Sequence, residues 1–184
     1  NEKDLFRRKR TVQKIYNAHY HFAKPPDKPI IKAIPGDKKV TLIWDDRAEK
    51  TFDPFYQRYN FEGYKIYQVA SPTVSVAELD NTEKARLIYQ VDLNNNVKKI
   101  FNWEPFEDSD LPTTNAVFVP VLEVEGADQG ISHTFKVTED QFAQSNRNLV
   151  NHKKYYFTVV AYAYNNYEQF DPSDVTGQRR SYLE

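Results

Sequence analysis

The residues of this chain that could carry chemistry stand in a few short clusters. Asp45 and Asp46 are paired carboxylates, the residue type that performs acid and base work on glycosidic bonds. Neighbours at a strand end point to opposite sides, so this pair is badly arranged for that task. Glu104, Glu107, Asp108 and Asp110 make one acidic loop, and Asp92, Asn94 and Asn96 alternate within another. Neither has the glycine and terminal bidentate glutamate of a twelve-residue calcium loop, and solvated loop acids are the plainer explanation. His19 and His21 flank Tyr20, a spacing that turns two imidazoles to different faces of a helix, while His133 and His152 stand apart. Arg7-Arg8-Lys9-Arg10 is a basic run of the phosphate-binding kind, but no aromatic residue interleaves it. There is no Cys, hence no thiol nucleophile and no thiolate zinc site. No Ser is framed as Gly-x-Ser-x-Gly, and five glycines leave little material for a phosphate-cradling loop. These residues point away from an enzyme, from any cofactor or metal, and from nucleic acid as a partner.

The elements that must position such groups are mostly strands. Hydrophobic residues make up 40% of the 184 and aromatics 15%, with 13 Tyr and 12 Phe, which suits half-buried pleated surfaces. The first 24 residues carry seven Lys and Arg against two Asp and Glu, although the whole chain is at −1, so a basic arm precedes an acidic body. Leu5, Val12, Ile15, Tyr16 and His19 recur at helical spacing between Asp4 and Phe22, and Pro25-Pro26 stops the run. The expected division is a basic helical arm over 1–26 and a strand-built body over 27–184. Strands are expected over 29–34, 40–44, 61–68, 85–91, 116–124, 132–137, 155–164 and 178–183, with Pro35-Gly36-Asp37-Lys38 as a turn. Stretches 45–60 and 69–130 read as long insertions. Several strands without alternating long helices imply two packed sheets.

Three segments together resemble a fibronectin type III domain. Gly36-Asp37 followed by Val40-x-Leu42-x-Trp44-Asp45 is similar to its first two strands, and Gly63-Tyr64-Lys65-Ile66-Tyr67 to its third. Leu149-x-Asn151-x-x-x-Tyr155-x-Phe157-x-Val159-x-Ala161 is similar to its sixth strand and the loop before it. The resemblance covers 27–68 and 145–183. It implies an immunoglobulin-like all-β sandwich in which Trp44, Tyr64, Ile66 and Val159 share one core. Leu149 would plug its end, and Tyr155 would be a tyrosine corner bonding back to the loop. Asn151 and Ala163 stand where the family commonly has Pro and Asn. The wording of the motifs is similar to modules of large secreted proteins of Gram-negative bacteria. That implies an extracellular or cell-surface location, with other domains or subunits of a surface assembly as partners.

If Tyr155, Phe157, Val159 and Ala161 point inward, the period of two sends Tyr156, Tyr162 and Tyr164 outward, and Tyr67 joins them. Such an aromatic outer face is expected either to be an interaction surface, for a partner protein or a glycan stacked on the tyrosines, or to be covered within the same chain by an insertion or the arm. A chain that opens Asn1-Glu2-Lys3 and holds no Met reads as a portion of something longer. No apolar run approaches membrane-spanning length.

Overall fold

The structure is a computed structural model that describes residues 24–51, 59–105, 118–165 and 182–183. The helix expected over 4–22, its histidines and its basic run lie outside the described residues, as do Glu107, Asp108 and Asp110.

The described residues form nine strands: β1 (Ile31–Gly36), β2 (Lys39–Trp44), β3 (Tyr59–Val69), β4 (Ala85–Asp92), β5 (Lys99–Pro105), β6 (Phe118–Glu125), β7 (Thr134–Val137), β8 (Tyr156–Asn165) and β9 (Tyr182–Leu183). One sheet runs β1-β2-β7, a second β4-β3-β8-β9, and a two-stranded hairpin pairs β5 with β6. All pairings are antiparallel. The only helical elements among the described residues are two short 3-10 turns, Arg47–Lys50 and Val76–Glu78. The molecule is thus mostly antiparallel β, in the manner of an all-β sandwich.

Alternation explains the packing. Leu42 and Trp44 point from β2 to the same buried cluster as Phe61, Tyr64 and Ile66 of β3, Val91 of β4, Val137 of β7, and Val159 and Ala161 of β8. Leu149 lies in that cluster, and Tyr155 and Phe157 pack against it. The Trp44 and Tyr64 rings meet edge to face with centroids 5.9 Å apart, an arrangement aromatic pairs favour. Tyr89 of β4 stacks on Phe135 of β7 at 4.2 Å, bridging the two sheets.

Two local departures from expectation have simple causes. Pro35 and Gly36 belong to β1 rather than to a turn, pairing with Val40 and Lys39. The reversal is made by Asp37 and Lys38, with Lys38 in the left-handed region at φ 49°. Asn151 clamps that reversal from the other end of the chain: its Oδ1 accepts the Lys38 N–H at 2.9 Å, and its Nδ2 donates to Asp37 Oδ1 at 2.8 Å. The second departure is β5, a strand within the stretch read as an insertion, at a place where none was expected. Its Ile100-Phe101-x-Trp103 run pairs with β6 from Lys99↔Glu125 to Pro105↔Phe118.

Candidate functional site: an aromatic sheet face beneath a hairpin

The outer face of the second sheet is built by register. Lys65 stands opposite Val160, Tyr67 opposite Thr158, and Val69 opposite Tyr156. Tyr162 pairs with Gly63, and glycine is needed there for space. A Cβ on residue 63 would lie 2.2 Å from the Val91 carbonyl oxygen and 2.7 Å from Tyr162 Oη.

Two pieces of chain cover this face. Residues 70–84 bring Leu79 and Val74 against Tyr67, Val69, Val160 and Tyr156. That segment is tied by a capping box at Ser75 and Glu78, and Lys84 bonds Glu78 from the far end. The β5–β6 hairpin brings Ile100 and Val124 onto Tyr162, with Val97 and Tyr164 alongside. Tyr162 is consequently 0% exposed and Tyr67 8%, while Tyr156 and Tyr164 are half-buried. The face of Tyr67, Tyr156, Tyr162 and Tyr164, expected either to be an interaction surface or to be covered within the same chain, is thus covered by the chain at Tyr67 and Tyr162, while Tyr156 and Tyr164 keep part of their surface. The pleat sends these tyrosines away from the sandwich core, and the insertion supplies apolar cover for them. The hairpin left a signal in the chain: apolar residues at a spacing of two, Phe101-x-Trp103 and Val119-x-Val121, on either side of a polar stretch.

Polar contacts fix the hairpin to the sheet. Two backbone carbonyls of β6, those of Glu123 and Glu125, accept from Lys65 Nζ at 3.5 Å and Gln90 Nε2 at 3.1 Å. At the hairpin base, the buried Asp92 carboxylate accepts the N–H groups of Ala127 at 3.2 Å and Asp128 at 3.0 Å. Asp128 Oδ1 in turn accepts the N–H groups of Asn95 and Asn96. Of the alternating Asp92, Asn94 and Asn96, the Asp92 carboxylate and the Asn96 N–H thus enter a loop clamp. Gly126 is part of it, because a Cβ there would meet Asp92 Oδ2 at 1.8 Å. No group of three or more His, Cys, Asp or Glu among the described residues is arranged to hold a metal ion.

Glu62 is the outlier of this cluster. It is the unpaired residue of a bulge in β3, between Phe61↔Ala163 and Gly63↔Tyr162, and it is 1% exposed. Its Oε2 accepts Asn95 Nδ2 at 2.8 Å, whereas Oε1 is buried with no hydrogen-bond partner. Burial, against the Asn95 hydrogen bond and helped by the charges of Asp92 and Asp128, pushes its carboxyl up to about 8.

Beside the hairpin, a cleft of about 530 Å³ opens between β4 and β6. Lys65 and Tyr67 line it with Leu87 and Leu122, which are 50% and 43% exposed. A second polar group sits at the end of the core. Tyr64 Oη donates to Glu49 Oε1 at 2.9 Å, and His133 Nε2 stands 2.6 Å from the same oxygen. Burial and the Glu49 carboxylate push the Tyr64 phenol up. Asp45 and Asp46 are spent separately: Asp45 accepts from Ile30 N–H and Arg47, and Asp46 pairs with Lys50. Sequence spacing hid the Glu49–His133 contact because 84 residues separate the two.

No protein-family model, curated protein or solved structure matches the chain. Among the described residues, no helix is long and apolar enough to cross a membrane.

Proposed function

We propose that this chain is a non-catalytic structural and interaction module of the fibronectin type III kind, belonging to a secreted or cell-surface multidomain protein. The observation that carries this reading is the corner between the sheets. Tyr155 Oη accepts the Val150 N–H at 2.8 Å, beside the buried Leu149 plug, at the entry to β8. That backward bond fixes the crossing between sheets in sandwiches of this class. The strand order β1-β2-β7 against β4-β3-β8-β9 supports the same reading. Such a module acts by spacing and docking its neighbours, and its insertions supply the specific surface.

The contact with a neighbouring domain or subunit would use Leu87 and Leu122. These exposed apolar side chains flank the cleft between β4 and β6. Burying apolar groups of that kind at the centre of a contact supplies most of its free energy.

The test uses the full-length protein on intact cells. A membrane-impermeant photo-crosslinker is attached at position 87 or 122, with position 136, across the sandwich on β7, as control. Crosslinks from 87 and 122 to another domain or subunit, absent from 136, support the module. Labelling that appears only after lysis removes the surface location, and labelling without any crosslink removes the docking role.

A further inference from the structure

We propose that the β5–β6 hairpin is a proton-held cover: Glu62 binds a proton while the hairpin is closed and releases it when the hairpin lifts, so that acid tightens the cover and neutral solution loosens it.

The extra residue in β3 places Glu62 beneath the loops that carry the hairpin, where water does not reach it. One oxygen is met by Asn95 of the β4–β5 connection, and the other is buried without a hydrogen-bond partner. The charged or titratable groups that face it make matters worse for an anion. Asp92 at the end of β4 and Asp128 in the β6–β7 connection are both carboxylates, and Tyr164 of β8 is a neutral phenol. Lys65 on the same strand directs its ammonium to the Glu123 carbonyl and the Tyr162 ring. An unpaired buried carboxylate is costly, whereas a neutral acid with one hydrogen bond is tolerable.

Ionisation must therefore be relieved by admitting water, and the element that yields is the one least firmly held. The β3–β8 ladder runs unbroken from Gly63↔Tyr162 to Val69↔Tyr156. The described contacts that hold the hairpin include a small apolar cluster, side-chain bonds from Lys65 and Gln90 to β6 carbonyls and the loop clamp at its base. Local opening falls on such weakly anchored units. Lifting the hairpin hydrates Glu62 and uncovers Tyr162 and Tyr164 together.

The sign follows from proton uptake. The closed form keeps its proton up to about pH 8, and the open form keeps it only to the ordinary carboxylate range. Between those limits the opening constant grows as pH rises, by at most about tenfold per unit, and it is level on either side.

The test is hydrogen–deuterium exchange on the intact chain, corrected for intrinsic chemical exchange. From about pH 5.5 to about pH 7.5, the amides of β5 and β6 should lose protection at least about tenfold while those of β3 and β8 hold. Glu62→Gln should remove that pH dependence and keep the hairpin closed at the higher pH. PH-independent protection in the wild type overturns the proposal, as does an unchanged pH response in Glu62→Gln. If Glu62→Gln fails to fold, carboxyl-carbon NMR of the wild type decides. A Glu62 carboxyl titrating well above the ordinary range supports the proposal, and one titrating within it does not. Millimolar calcium that restores protection at the higher pH in the wild type alone would assign Glu62 to a cation and overturn the proton.

Discussion

The Tyr155 hydroxyl reaches back five residues to the Val150 N–H, and Leu149, next in the chain, is among the most deeply buried side chains of the core. The two halves of this corner should differ in weight. Val150 is exposed, so water can replace the lost hydroxyl, and Tyr155→Phe should cost about 1 kcal/mol. Leu149→Ala leaves a cavity at the core end and should cost about 3 kcal/mol. Chemical denaturation of both variants checks the order, and the reverse order would mean that the hydroxyl, not the plug, carries the corner.

The parts of the fold legible in the sequence are those where one face is buried and the other is not. In β2, Val40, Leu42 and Trp44 alternate with Thr41 and Ile43, and the period of two alone places them. In β8 the same rule sorts Val159 and Ala161 from Val160 and Tyr162, but both sets are apolar because both faces are covered. A strand buried on two sides tells which residues share a face, not what lies over it. Cover by an insertion was one of the two expectations, but β5 itself went unread because it holds Asn102 and pairs with β6 across an intervening polar stretch. Glu62 was invisible for another reason: a bulge cannot be read from alternation, since it is the place where alternation breaks.

Glycine positions should separate sharply by what surrounds them. Gly63→Ala sets a Cβ 2.2 Å from a backbone oxygen held in the β3–β4 pairing, and should cost about 2 kcal/mol or more. Gly36→Ala meets only the flexible side chain of Lys39 and should stay within about 0.5 kcal/mol. Thermal melts of the two variants side by side test this, and equal losses would contradict the close packing of Tyr162 over Gly63.

Asp140 should give stability an acid limb. Burial alone would raise its carboxyl, but hydrogen bonds from Lys153, Gln68 Nε2 and the Phe142 N–H outweigh burial and hold it below the ordinary range. A lowered carboxyl contributes stability that is present above the ordinary carboxylate value and lost as pH falls through the lowered one. Asp140→Ala should cost roughly 1–3 kcal/mol at neutral pH, since the buried Gln68 amide loses its acceptor. The cost should shrink in strong acid. Denaturant midpoints followed from neutral to strongly acid pH check both statements, and a cost independent of pH would remove the carboxylate from the explanation.

Excising the hairpin should separate fold from cover. Among the described residues, the cluster of Leu42, Trp44, Tyr64, Ile66 and Val159 contains none from β5 or β6, so the sandwich core should persist without them. Replacing 99–125 with a short Gly-Ser linker should therefore leave the near-ultraviolet signature of the Trp44–Tyr64 pair in place. The same change strips Ile100 and Val124 from Tyr162 and leaves the Tyr162–Tyr164 end of the outer face of β8 bare. A contiguous aromatic patch of that kind binds apolar dyes and drives self-association. Sedimentation and dye fluorescence should both rise, and adding Tyr162→Ser and Tyr164→Ser should bring both back down. A shortened chain that stays monomeric and dye-negative would show that residues 70–84 close the face unaided. A shortened chain that loses the Trp44 signal would make the hairpin part of the core.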